Sequence, residues 1–249
     1  MRYIILFGLP GSGKTTFTRK LLGRYPESHV ISRDQFRINS EGVYVFDPTT
    51  EDKVCKKFFT YLYYFSQANA DKEGIMIIDD ANIQEIQLIQ LLLAIDNINN
   101  ELYFVVFDSH EIEVHERRMH ENGHILDTPK FRLFLSLYLN LRKLIEESFV
   151  RVTVHHPEFD IFEYQDTDPE EYYRLYNEKC TEFYNEAIEM LDKMIKLGGG
   201  RYSIFPTETP SFPKKQIITH LVPIDDVPPP TLIKQTVMKE EPDKKKQKN

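Results

Sequence analysis

Three glycines, a lysine and two threonines near the amino end are spaced to hold a polyphosphate. Gly8, Gly11 and Gly13 lack Cβ atoms, so the chain between them can curl and bring its N–H groups against an anion. Pro10, Ser12, Lys14 and Thr15 complete Gly8-Leu9-Pro10-Gly11-Ser12-Gly13-Lys14-Thr15, a match to G-x-x-x-x-G-K-[ST], and Thr16 follows at once. Lys14 has the charge and reach for the β- and γ-phosphates of a nucleoside triphosphate, ATP or GTP. The Thr15 hydroxyl is the expected Mg²⁺ ligand. A helix opening near Lys14 adds the partial positive charge of its N-terminus.

Four further groups could act on the γ-phosphate or its acceptor. Asp34 has the chemistry to orient and deprotonate an acceptor hydroxyl; as a plainer role it would cap a helix or sit in the outer shell of Mg²⁺. Arg37, three residues on, can hold a phosphate or carboxylate of the acceptor by a charge-assisted fork, or pair with Asp34 or Asp80. Asp79 and Asp80 stand where a strand ends, as a metal-directing acid would; strand alternation leaves open which of them faces the site. Arg117 and Arg118 precede a glycine-containing break, the place for a lid arginine over the transferring group, though ordinary surface charge is the alternative. His120 and His124 are four apart, but Gly123 interrupts the helix a metal site would need.

These side chains must be carried by alternating strands and helices. Tyr3–Phe7, His29–Ile31, Ile75–Ile78, Leu102–Phe107 and Phe149–Val154 read as short buried strands. Helical periodicity predicts helices over 16–22, 51–72, 85–95, 111–121, 130–147 and 168–196. Residues 38–50, polar and containing Gly42 and Pro48, read as an irregular loop at the site. The alternation predicts an α/β fold: a P-loop three-layer sandwich with a mostly parallel sheet, plus a C-terminal helix and an extended tail. Asp34, Asp79 and Asp80 then lie with the glycine loop at the carboxyl ends of the strands, where such sheets bind ligands. The expected division is a kinase domain over 1–155, an acidic helical extension over 156–200 and a Pro-rich flexible tail over 201–249.

Composition bounds the rest. The 249 residues carry a formal net charge of −8, with the acidity concentrated over 149–200 at −7, against −4 before it and +3 after it. An acidic chain lacks the basic footprint usual in nucleic-acid binders, so any groove for one must be local. Two cysteines, Cys55 and Cys180, far apart, argue for a reducing compartment, cytoplasmic or nuclear, and against structural zinc. No apolar run is long enough to cross a membrane. Over 168–196, Tyr172, Tyr176, Cys180, Phe183, Ala187, Leu191 and Met194 share a face that packs on the domain or docks a protein partner. Eight of the 14 prolines fall in the last 49 residues, and Lys244-Lys245-Lys246 stands near the end as a solvated tail or a nuclear signal.

The series GLPGSGKTT, SRDQFR, GIMIIDDANI, YFVVFD and ERRMHENG resembles the polynucleotide kinase-like branch of P-loop kinases over about residues 1–145. Gly42-Val43-Tyr44-Val45-Phe46-Asp47 resembles the G-x-Y-x-F-D stretch of that branch's eukaryotic members. The resemblance implies Asp34 as general base, Arg37 as the arginine on an acceptor phosphate, Asp80 as the acid before the A-N step and Arg117 as the first lid arginine. Asn122 stands where phage-type relatives place a second lid arginine; either Arg118 substitutes for it or the rate is lower. Asp166-Thr167-Asp168-Pro169-Glu170 fails the D-x-D-x-T pattern of the phosphatase often fused to this branch. The implied activity is NTP- and Mg²⁺-dependent phosphoryl transfer to the 5′-hydroxyl of a nucleic acid. A small-molecule kinase on the same scaffold, or a non-catalytic NTP-binding switch with a docking helix, are the alternatives.

Overall fold

The computed structural model describes residues 1–70, 72–96, 100–123, 127–157, 168–198 and 200. His124, Asp166, Thr167 and the tail with its lysine run lie outside the described residues. Five strands form one parallel sheet: β1 (Arg2–Phe7), β2 (His29–Ile31), β3 (Ile75–Ile78), β4 (Glu101–Phe107) and β5 (Arg151–Val154), in the order β2-β3-β1-β4-β5. In register, Ile5 on the central strand stands beside Ile78 of β3 and Phe104 of β4. The chain leaves β1 toward one edge and later returns to build the other. That reversal opens a crevice at the carboxyl end of β1.

Side-chain alternation sorts the central strands to two faces, and helices bury both, as a parallel sheet requires. Tyr3, Ile5, Phe7, Phe104 and Val106 face a cluster with α2 (Glu51–Ala68), α3 (Glu85–Ala94) and α5 (Thr128–Ser148). Ile4, Leu6, Tyr103, Val105 and Phe107 face a second cluster with α1 (Lys14–Arg24) and α6 (Pro169–Leu197). The remaining helix, α4 (Ile112–Glu121), follows β4 and lies over the glycine loop.

The apolar face of α6 is therefore one half of a layer. Tyr176, Cys180, Tyr184, Ala187, Ile188 and Leu191 are buried on the sheet, with Tyr184 rather than its neighbour Phe183 turned inward. Asp192 ties the helix to the end of α1, accepting from Arg24 Nε at 2.7 Å and from the Tyr25 hydroxyl. Local chemistry sets the helix ends. Asp127 accepts from the Lys130 N–H at 2.7 Å and Asp168 from the Glu171 N–H at 3.4 Å, each with a proline in the first turn, and Gly198 closes α6 at φ 63°.

Between β2 and α2 the chain takes two forms, one at a stretch for which the sequence predicts no element and one where it predicts an irregular loop. Arg33–Arg37 forms a 3₁₀ turn, started by Gln35 Oε1 accepting from the Ser32 N–H at 3.2 Å. Within 38–50 the chain folds back as a small hairpin with an antiparallel bridge between Ile38 and Tyr44. The Asn39 side chain closes it by accepting from the Glu41 and Val43 N–H groups, and Gly42 turns it at φ 80°.

Candidate active site

The glycine loop joins β1 to α1 with Gly11 at φ 76° and Gly13 at φ 95°. A Cβ on Gly13 would run into the Tyr184 hydroxyl, and one on Gly11 would lie 3.0 Å from the His115 carbonyl oxygen. No side chain caps the N-terminus of α1, so its first N–H groups, among them those of Thr15 and Thr16, are presented to an anion. Lys14 is buried and folds back, its Nζ donating to the carbonyls of Gly8 at 3.0 Å and Leu9 at 2.7 Å and to Ser12 Oγ at 3.4 Å. Burial presses its pKa down to about 8, against the pull of the Asp79, Asp80 and Asp34 carboxylates. A buried cation, a bare helix N-terminus and a loop whose glycines have no room for side chains fit a polyphosphate chain.

The two acids after β3 separate. Asp79 faces Lys14 and the Thr15 hydroxyl; burial raises its pKa, and the Lys14 charge opposes the rise. Asp80 turns the other way. Arg33 grips both its oxygens, with Nη2 2.6 Å from Oδ1, and the Ala81 N–H donates to Oδ1 at 2.7 Å. Burial opposes the charge on Asp80, but the Arg33 guanidinium holds its carboxyl below the usual range. Thr15 and Asp79 thus stand together as hard oxygen donors of the kind Mg²⁺ takes alongside phosphates, while Asp80 belongs to an internal ion pair. Asn82, at φ 54°, locks this corner to β1 by donating to the Leu6 carbonyl at 2.7 Å.

The 3₁₀ turn after β2 presents Asp34 to solvent with 60% of its side chain exposed, whereas Arg37 is 11% exposed. Arg37 pairs with Asp34 through Nη1 and with Glu51 through a two-pronged fork, Nε at 2.8 Å and Nη2 at 2.6 Å. Burial opposes its charge, but these carboxylates raise its pKa. Glu51 heads α2 and carries no spacing signal that would mark it in the sequence.

The two arginines of α4 diverge. Arg117 points outward, to Glu121 at 3.1 Å, to Glu170 at 2.6 Å and across the Tyr173 ring at 3.7 Å. Arg118 turns in toward the glycine loop, donating to the Gly11 carbonyl at 3.1 Å and to Asn177 Oδ1 at 2.8 Å. Asn122 closes the helix, its side chain donating to the Arg118 carbonyl at 2.6 Å. Of the lid candidates, the geometry brings Arg118 to the loop and ties Arg117 to α6.

Two histidines absent from the sequence-level candidates hold the back of the loop. His115 Nδ1 lies 2.7 Å from the Pro10 carbonyl, and its Nε2 accepts the His110 backbone N–H at 3.1 Å. A carbonyl can only accept and an N–H can only donate, so the proton sits on Nδ1 and the ring is neutral. His110 Nε2 likewise faces Arg118 Nη1 at 2.9 Å, so its Nδ1 carries the proton toward the Tyr176 hydroxyl at 2.5 Å. Burial, then the neighbouring Arg118, pushes His110 down to about 2; burial pushes His115 down to about 4. His110 and His115 are remote from the loop in sequence and fit no motif, so only the fold reveals them.

The model of a family described as an AAA domain, AAA_33, matches residues 4–129. Among solved structures, the chain is similar to one in the Pnkp1/Rnl/Hen1 RNA repair complex at 21% identity and TM-score 0.47, over 57% of this chain and 45% of that one. It is similar to Chaetomium thermophilum Kti12 in complex with ADP-AlF3 at 19% identity and TM-score 0.39, over 55% and 79%. It is also similar to shikimate kinase from Acinetobacter baumannii in complex with shikimate, at 14% identity and TM-score 0.45, over 79% and 94%. The chain spans less than half the length of the RNA-repair chain it matches. None of these likenesses bears on the acceptor.

Proposed function

The chain belongs to the AAA_33 family of AAA domains and is a P-loop kinase-like domain, and from that premise we propose that it transfers the γ-phosphoryl group of ATP or GTP to the 5′-hydroxyl of a polynucleotide. The observation that carries this reading is the position of Asp34. It is open to solvent, where an acceptor can reach it, and paired with an arginine one turn away. The loop N–H groups and Lys14 hold the β- and γ-phosphates, Lys14 exchanging its own carbonyl partners for phosphate oxygens. Thr15 and Asp79 would hold Mg²⁺, which neutralises charge on the phosphates when bound. Asp34 accepts the 5′-hydroxyl proton as the oxygen bonds to the γ-phosphorus and the bond to the β,γ-bridging oxygen breaks, releasing the nucleoside diphosphate. Arg37 takes the phosphate on the 3′ side of the first nucleoside, and Arg118, anchored on Gly11, supplies positive charge beside the loop.

A small-molecule kinase is the second reading. It is favoured by the saturation of Arg37 by two carboxylates, which leaves less charge for a polyanion. The test is label transfer from γ-labelled ATP to a panel of 5′-hydroxyl DNA, RNA, nucleosides and sugars. Label on the 5′ end of an oligonucleotide is expected. Label on sugars or free nucleosides alone moves the second reading to the front. ADP production that no acceptor stimulates makes the domain an NTP-binding switch.

A further inference from the structure

Val43, Tyr44, Val45 and Phe46 are four consecutive large apolar residues, exposed by 53, 38, 46 and 49%. Such a run on a surface is a fault in folding terms unless something covers it in use. It is also held in place. The Val45 N–H donates to the Arg37 carbonyl at 3.0 Å and the Asn39 N–H to the Val43 carbonyl at 2.9 Å. The strip is therefore built onto the turn that carries Asp34 and Arg37.

Charge says what would cover it. The Phe46 ring has two cations against it, Arg37 at 5.7 Å and Lys130 at 5.6 Å from the ring centroid. Among the described residues Lys130 Nζ meets only aromatic rings, those of Phe46 and Phe134. The acids nearby are engaged: Asp34 and Glu51 with Arg37, and Asp47 with the N–H and hydroxyl of Thr49. A flat apolar face with an ammonium beside it complements a ligand that is flat and apolar in one part and anionic in the next, as a nucleotide is. We propose that the Val43–Phe46 strip seats the terminal base of the acceptor, with Phe46 as its stacking face and Lys130 as the cation for a following phosphate. The proposal rests on the polynucleotide-acceptor reading and gives it a specificity element: the enzyme recognises a 5′ end by its base plane as well as by its hydroxyl.

Two measurements test it. In the first, KM is compared for a 5′-hydroxyl oligonucleotide and for the same strand with an abasic first residue. The wild type should prefer the base-bearing strand about 10-fold or more, as base–aromatic stacking allows. Phe46→Ala should bring that ratio close to one, and Phe46→Tyr should restore it. A ratio that survives Phe46→Ala overturns the proposal. So does a change in oligomeric state without a change in the ratio, which would make the strip a protein contact. The second measurement needs no catalysis. The chain contains no tryptophan, so Phe46→Trp places a lone indole on the strip. Its fluorescence should be quenched by the base-bearing strand and not by the abasic one. Equal or absent quenching sinks the platform even if the kinase is active; selective quenching with no label transfer keeps the platform and sinks the kinase.

Discussion

The glycine loop and the turn proposed to take the acceptor lie at the carboxyl ends of strands of one sheet and are built in opposite ways. Behind the loop the packing is enclosed, while Thr15 and Thr16 at its mouth stay exposed: Lys14 and Ser12 are buried, His110 and His115 are neutral and hydrogen-bonded behind it, and Tyr184 closes on Gly13. At the acceptor turn Asp34 stands in solvent, Arg37 is shared between two carboxylates, and the apolar strip 43–46 is uncovered. On the proposed reading, the difference follows from what each would bind. Triphosphate is the same in every turnover, so a rigid cradle loses nothing in scope and gains from preorganisation. An acceptor has to enter, be read and leave, which calls for an open surface whose ion pairs can be exchanged.

The sharpest way to break the comparison is Lys14→Ala. Removing the buried cation of the cradle should lower kcat by about 10³-fold, the upper range for loss of a preorganised charge donor, with circular dichroism unchanged. Near-normal turnover would take the loop out of the chemistry. Asp34→Asn comes next: kcat should fall by about 10²-fold while ATP affinity stays put, because Asp34 serves the acceptor. A collapse of ATP affinity would transfer Asp34 to the metal side.

Arg37→Gln sharpens the acceptor half. KM for a nucleoside 3′-monophosphate should rise about 10- to 100-fold at fixed salt, and hardly move for the unphosphorylated nucleoside, which offers the arginine nothing to grip. Equal losses on both would mean that Arg37 only buttresses Asp34. Arg118→Ala tests the enclosed half and should weaken ATP binding about 10-fold through the freed Gly11 carbonyl, a larger effect than that of Arg117→Ala, whose side chain faces α6. The reverse order would restore Arg117 as the lid arginine.

A last effect is in stability against pH. His115 has a folded pKa of about 4 against an ordinary 6.5. Between those values the unfolded chain binds a proton that the folded chain refuses. Stability therefore falls as pH drops from about 6.5 toward 4, by at most about 1.4 kcal/mol per pH unit for this ring. His110, at about 2, adds to the loss over the same range. Thermal melts from pH 7 to 4 should show this slope, and His115→Gln should make it shallower. An unchanged slope would mean that the ring is not held neutral.

How much of this could be read without coordinates differs by region. The strand–loop–helix unit was legible because its signals are local. Ile4 to Phe7 run apolar, the glycines follow at fixed offsets, and the backbone they free is the binding element itself. The parallel α/β fold was legible because strand and helix periodicities alternate along the chain. The choice between Asp79 and Asp80 was not, since adjacent side chains at a strand end point apart and only the packing of Arg33 decides which is neutralised. Nor was the choice between Arg117 and Arg118, which turns on the partners each meets on α6, Glu170 for Arg117 and Asn177 for Arg118.

Glu51 shows the same limit, because a carboxylate 14 residues from its arginine leaves no spacing to find. Alone, the sequence determined that this chain has a P-loop on a parallel sheet, since both rest on short-range pattern. Tertiary structure decided which acid, which arginine and which histidines lie against the loop, and it packed α6 on the sheet. Those outcomes depend on long-range contacts, from Arg33 and Asp80, 47 positions apart, to Arg24 and Asp192, 168 positions apart. The energies of such contacts come from burial and exchange of partners that no local pattern encodes.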